Sequence, residues 1–181
     1  MRSFDAPWAV AGGWAIDLHL NRRTRPHADV DIAILRRDQR VLWSGVQPRA
    51  AEYVDDGVVH AWQPHTWLTL PTHEVYLTTP HGSRFEFLLN EYDASADEWL
   101  YRRDLRVRRP LDKTFRRTHV VPYLAPEIVL LYKSKEPRAC DEADFAAALP
   151  AIDSEARHWL RVALELTSPG HPWASILVRE S

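Results

Sequence analysis

The stretch "GGWAIDLHLNRRTRPHADVDIAIL", residues 12–35, constrains this chain more than any other. It opens on two adjacent glycines, which let the backbone turn where a side chain would obstruct it. It closes on an Asp-x-Asp pair that runs into an apolar segment. Upstream, "PWAVA" (7–11) reads as a short strand; downstream, Trp14, Ala15, Leu18 and Leu20 form a helical stripe. The predicted unit is strand, glycine turn, helix. "DVDIAIL" (29–35) alternates with period two, which predicts a strand with Asp29 and Asp31 pointing to the same side.

Each end of this unit suggests chemistry. Glycines at a helix start expose N–H groups where the helix adds partial positive charge, a combination that suits a phosphate, although such glycines also serve as plain turn residues. Neither G-x-G-x-x-G nor G-x-x-x-x-G-K-[ST] is present, so dinucleotide binding and P-loop hydrolysis lose support. Two carboxylates on one side of a strand repel each other unless a cation lies between them. Mg²⁺ is the natural occupant, because it takes oxygen ligands and shares its shell with phosphates. The plainer reading is a solvated strand end with Asp29 capping a turn.

The remainder of the chain reads as alternating strands and helices followed by a helical tail. "RDQRVLWSGV" (37–46) predicts a helix, and "AAEYVDDGVVHAW" (50–62) a hairpin turning at Asp55-Asp56-Gly57. "HEVYLTTP" (73–80) and "SRFEFLLNE" (83–91) predict two strands around His81-Gly82. From Ala125 the period becomes helical. "APEIVLLYKSK" places Pro126 at N1, and helices are predicted over 141–152 and 153–166. The fold class is α+β, a mixed β-sheet core with flanking helices (1–121) and a C-terminal helical layer (122–181), with the seam near Pro122 to Pro126.

Composition excludes several classes. With 181 residues and 45% hydrophobic content the chain can bury a core. A net charge of -2 gives no bulk attraction to nucleic acid or to anionic membranes. No apolar run approaches the roughly 20 residues that span a bilayer, and the N-terminus lacks a signal-peptide layout, so the cytoplasm is the expected compartment. Cys140, the single cysteine, excludes an intramolecular disulfide and a cysteine zinc cluster, and reads as inert.

The glycine-to-aspartate stretch resembles the nucleotidyltransferase motif of the DNA polymerase β superfamily, in particular the branch of aminoglycoside 2''-adenylyltransferase and the lincosamide nucleotidyltransferases. Gly12, Gly13, Trp14, Ala15, Ile16 and Asp17 match a G-G-W-[AG]-[IV]-D segment, and Thr24, Arg25, His27, Asp29, Val30 and Asp31 match T-R-x-H-x-D-[ILV]-D. "YLAPEIVLLYKSK" and "CDEADFAAALP" are similar to the C-terminal helical part of related proteins. The resemblance implies two Mg²⁺ ions on Asp29 and Asp31 and an NTP, ATP foremost, whose nucleoside monophosphate passes to a hydroxyl with release of pyrophosphate. Trp14 stands where many members of the superfamily have Ser, so phosphate contact at Gly12, Gly13 and Trp14 falls to backbone N–H groups. It further implies a small hydroxylated acceptor such as an aminoglycoside-like or lincosamide-like antibiotic. A protein or tRNA acceptor, and a non-catalytic nucleotide-binding module, are the alternatives.

A third carboxylate completes such a set, and Glu86 is the candidate. Along 83–91, Arg84, Glu86, Leu88 and Asn90 share one face, whereas Phe85, Phe87, Leu89 and Glu91 share the other. The second face reads as packed beneath helices, with Glu91 escaping to solvent at the strand end. Glu86, mid-strand, needs a cation or a wet cleft. The resemblance places a lysine at Lys133, able to reach a phosphate as a point charge; a solvated helix end is the alternative. Arg25 suits a phosphate contact or a loop-holding salt bridge equally. His27 and Asp17 read as structural, Asp141 as a helix cap and Asp144 as a partner for a lysine. The stretch 102–117, half Arg or Lys, reads as strands with one basic face, either a polyanion groove or an internally paired surface. Trp62, Trp67 and Trp99 are stacking or core residues.

Overall fold

A computed structural model of the chain describes residues 4–179. In chain order the elements are β1 (Trp8–Val10), α1 (Gly12–Leu20), β2 (Asp31–Leu35), α2 (Val41–Val46), β3 (Ala50–Asp55), β4 (Val58–Ala61), β5 (Glu74–Thr78), β6 (Arg84–Asp93), β7 (Glu98–Leu100), β8 (Arg108–Pro110), α3 (Leu111–Thr114), β9 (Phe115–Arg117), β10 (Pro122–Leu124), α4 (Pro126–Lys133), α5 (Ala139–Ala148), α6 (Ser154–Thr167) and α7 (Pro172–Arg179). One mixed sheet carries the order β4-β3-β5-β6-β2-β1-β10-β9, with β7 and β8 extending from β6. The pairs β2 with β6 and β1 with β10 are parallel; the others are antiparallel. The fold is α+β.

The sheet separates two apolar layers. On one side α1 and the C-terminal helices bury Ile16, Leu130, Phe145, Leu160 and Trp173. On the other, Ile34, Leu42, Trp62, Val75, Phe87 and Leu89 pack together beneath α2. Period-two alternation in β6 sends Phe87 and Leu89 to that second layer, each 1% exposed. Phe85, on the same face but nearer the strand start, remains 37% exposed. Trp62 and Trp99 are core residues, whereas Trp67 lies exposed under the Arg40 guanidinium, 5.5 Å from its ring.

Local chemistry explains most boundaries. The β3–β4 hairpin turns on Asp56 (φ +46°) and Gly57 (φ +74°), the two positive-φ positions of a tight hairpin turn. Asn21 ends α1 in the left-handed region. Pro126 opens α4 at its first turn, and the Asp153 side chain caps α6 by accepting from the Ala156 N–H at 2.8 Å. Asp141 caps α5 from inside, accepting the Arg138 N–H at 3.1 Å.

Three expectations require correction, and one helix lies outside what the sequence pattern predicts. The β2 strand begins at Asp31, and Asp29 lies in the loop before it, so the two carboxylates converge through a loop rather than through strand alternation. The predicted helix over 37–46 is a 3₁₀ turn at Arg36–Asp38 followed by the separate α2, because the buried Gln39 side chain donates to the Arg36 and Leu68 carbonyls between them. The basic stretch is a loop, β8, the one-turn α3 and β9 instead of continuous strands; buried Arg109 and the Trp159 indole, which donates to the Arg108 carbonyl, anchor it from elsewhere in the chain. Finally, α7 was not anticipated. Among the described residues no helix is long and apolar enough to cross a membrane.

Candidate active site

Asp29, Asp31 and Glu86 converge at one edge of the sheet. Each offers a carboxylate oxygen, and these oxygens lie within 4.8 Å of one another. Asp29 is exposed, and the other two are half-buried. The closeness of Asp31 and Glu86 follows from parallel register, since they are direct partners across β2 and β6. Tyr76 is the partner of Glu86 on the other flank, in β5, and its hydroxyl hydrogen-bonds Glu86.

The electrostatics set these carboxylates against one another. Burial first, and then the charges of Asp31, Glu74 and Asp29, push the Glu86 carboxyl up to about 7. Burial and then Asp29 also raise Asp31 above the usual carboxylate range, against the pull of Lys133. Tyr76 is pushed up to about 12 by burial and then by Glu86, so it stays protonated and can donate. Three oxygen donors with no nitrogen or sulfur among them form a set that suits a hard divalent cation.

The double glycine makes room for this arrangement. Gly12 has φ +60°, and a Cβ on it would run into the Asp31 carboxylate. A Cβ on Gly13 would run into the Arg25 guanidinium and the His27 ring. The N-cap residue of α1 is Ala11, which has no polar side chain to satisfy the first-turn N–H groups. Those donors, with Trp14, face a cavity of about 500 Å³ that is also lined by Asp29, Glu86 and Lys133.

The loop between α1 and β2 is braced from within α1. Asp17, 4% exposed, accepts the Thr24 N–H at 3.0 Å and hydroxyl at 2.5 Å, and lies 2.6 Å from His27 Nε2. The Trp14 ring packs on His27 with centroids 4.7 Å apart. His27 thus braces the loop that carries Asp29, and Asp17 is its anchor.

The cations are held by α5. Arg25 makes a two-point contact with Asp144, Nε to Oδ1 and Nη2 to Oδ2, both at 2.8 Å. Lys133 lies between Asp141, with which it forms a close ion pair, and Asp144 at 3.0 Å. Arg138 reaches Asp141 at 2.9 Å. Asp144 is fully buried, so this lattice fixes three cations at the cavity rim. Arg25 forms the salt bridge that was one of its two expected roles, and its guanidinium still lines the cavity.

A sequence profile described as aminoglycoside-2''-adenylyltransferase matches residues 1–147. The chain belongs to this family. It is a nucleotidyltransferase, and solved structures share its fold. Lincomycin-bound lincosamide antibiotic adenylyltransferase LnuA is 14% identical, with a TM-score of 0.53 over 81% of this chain and 88% of that one. ANT(2'')-Ia in complex with adenylyl-2''-tobramycin is 14% identical, with a TM-score of 0.55 over 91% and 90%. The solution structure of ANT(2'')-Ia gives 15%, a TM-score of 0.53, and 97% and 88%. No curated protein sequence matches the chain.

Within this family member the site includes residues that local pattern did not single out. Glu74 and Tyr76 reach the cavity walls from β5, and Arg138 does so from the turn before α5; Asp144 has the lysine partner expected of it, Lys133, and holds Arg25 as well. Alternation in "HEVY" puts Glu74 and Tyr76 on one face, but only the β5–β6 register brings that face to Glu86. Glu91 differs from expectation. Its side chain is 16% exposed and pairs with Arg36 at 2.6 Å, because the chain after β2 folds back over the end of β6.

Proposed function

We propose that this chain is a Mg²⁺-dependent enzyme that transfers a nucleoside monophosphate, from ATP foremost, to a hydroxyl of a small antibiotic-like acceptor, releasing pyrophosphate. The observation that carries the reading is the convergence of Asp29, Asp31 and Glu86 beside the uncapped first turn of α1. The three carboxylates would hold Mg²⁺, two ions being expected, and the metal would supply charge neutralisation for the triphosphate and a lowered pKa for the incoming hydroxyl.

The protein's own groups do the rest. Backbone N–H groups of Gly12, Gly13 and Trp14 receive phosphate oxygens, aided by the positive end of a nine-residue helix. Lys133 and Arg25 add positive charge at the rim. Glu86, within reach of the acceptor at the cluster, accepts the proton of the acceptor hydroxyl. The acceptor oxygen bonds to the α-phosphorus as the bond from that phosphorus to the bridging oxygen breaks, and the electron pair leaves with pyrophosphate.

A small acceptor is favoured over protein or tRNA because the basic stretch is largely engaged within the chain. Arg106 pairs with Asp104, Arg108 with Asp93, Arg109 with Glu127 and Lys113 with Glu155. The test incubates the protein with α-labelled NTPs and Mg²⁺ against separate pools of hydroxylated antibiotics, RNA and protein. Label in the antibiotic pool with stoichiometric pyrophosphate supports the reading; label only in RNA or protein, or in no pool, overturns it.

A further inference from the structure

Cavities extend in opposite directions along β5 and β6 from the carboxylate cluster. Toward the start of β6, the outer cavity continues into a cleft of about 590 Å³ along Tyr76, Arg84 and Phe85. Toward the end of β6, an inner cavity of about 370 Å³ runs along Ala33, Leu88 and Asn90, beneath Val129 and Tyr132 of α4. Gly12, Asp31 and Lys133 line both the inner and the outer cavity, whereas Asp29 and Glu86 line only the outer one and its cleft.

The inner walls carry Arg102, Arg103 and Lys135, none of which lines the outer cavity. Arg103 is fixed, donating to the Tyr101 hydroxyl at 3.2 Å and the Tyr132 carbonyl at 3.0 Å. Arg102 is half-buried and lies 5.4 Å from the Tyr132 ring centroid. Among the described residues its guanidinium forms no ion pair, and burial works against its charge. Such a guanidinium offers five donors in a planar fork that matches phosphate oxygens. The carboxylates in the same walls have other engagements: Asp31 belongs to the cluster, Asp141 is held by Lys133 and Arg138, and Glu74 pairs with His73 at 3.3 Å. Glu136 is exposed.

An in-line displacement puts the attacking and leaving oxygens on opposite sides of the phosphorus. With Glu86 taking the acceptor's proton, the acceptor enters from the outer side and the leaving group faces the inner one. Resting on the transfer reaction above, we propose that the inner cavity receives the β- and γ-phosphates of the nucleotide, and that Arg102, with Lys135 at the rim, holds them until they leave as pyrophosphate. As the bond from the α-phosphorus to the bridging oxygen breaks, its electron pair moves onto the β-phosphate, and Arg102 meets the charge that develops there. The first turn of α1 keeps the α-phosphate beside the carboxylates.

Inorganic pyrophosphate is the probe, titrated by calorimetry into the Mg²⁺-loaded protein with and without a non-hydrolysable ATP analogue. Pyrophosphate is expected to compete with the analogue. Arg102→Gln should weaken both ligands by about tenfold or more, Arg102→Lys by less, and Lys135→Gln, at an exposed position, severalfold. The Mg²⁺ affinity of the nucleotide-free protein and its melting temperature should hold in all three. Pyrophosphate that binds alongside the analogue, or that binds Arg102→Gln as well as the parent, overturns the proposal. So does a loss in Arg102→Gln that Mg²⁺ affinity shares, since Arg102 would then only support the cluster. An analogue that fails to bind the parent protein with Mg²⁺ sinks the transferase reading itself, whereas analogue binding indifferent to Arg102 sinks this inference alone.

Discussion

Asp31 and Glu86 are direct register partners on the parallel strands β2 and β6, while Gly12 lies against the Asp31 carboxylate from the other side. Two carboxylates that pair this way are costly to the fold unless a cation joins them.

Replacing either carboxylate should therefore separate activity from stability. Asp31→Asn and Glu86→Gln are each expected to reduce transfer by about 100-fold or more, while the melting temperature in metal-free buffer holds or rises. Glu86→Gln should leave NTP affinity largely intact. Steady-state kinetics beside a thermal melt decides the matter; early melting with normal turnover in the folded fraction would make these residues structural.

Gly12→Ala tests the close approach. At φ +60° an alanine is strained by about 1 to 3 kcal/mol, and its methyl displaces Asp31. Gly57→Ala is the control, at φ +74° with nothing within 4 Å of the added carbon. Both variants should lose stability in urea titrations, but only Gly12→Ala should lose Mg²⁺ affinity in calorimetry.

Glu91→Gln should act on stability and spare chemistry. It leaves the Arg36 guanidinium, itself 7% exposed, without its charged partner. A loss of about 1 to 3 kcal/mol is expected, with the transfer rate per folded molecule unchanged. A rate defect equal to that of Glu86→Gln would reassign the third carboxylate.

Acid should loosen α5 from the catalytic rim. Burial pushes both Asp141 and Asp144 up, but the cations prevail: Arg138 and Lys133 hold Asp141 below its ordinary value of 3.8, and Arg25 and Lys133 do the same for Asp144. Carboxylates depressed in the folded state contribute stability that is fully present above about pH 4 to 5 and is lost as pH falls through the folded pKa. Urea titrations between pH 6 and 3 should show this decline. Asp144→Asn should flatten it and lower the plateau at neutral pH, since Arg25 and Lys133 lose a buried counter-charge.

The sequence by itself determined the elements whose causes are local. Two glycines between an apolar strand and a helical stripe, a proline at the start of α4, an Asp-Gly turn in the β3–β4 hairpin and period-two alternation around Glu86 each act through neighbours a few residues away. The family resemblance read from the sequence rests on that same stretch, residues 12–31. Tertiary structure decided everything that depends on register and long-range charge. It placed Glu86 opposite Asp31 and brought Tyr76 to its flank. It buried Glu91 against Arg36, and it gathered Arg25 and Lys133 onto Asp144 from 119 residues away in one case. It also paired most of the basic stretch with distant acids while leaving Arg102 facing a cavity. The reason is physical: a side chain's charge is visible in a sequence, but its partner is set by which strands pair and which helix packs across them, and no local periodicity encodes that choice.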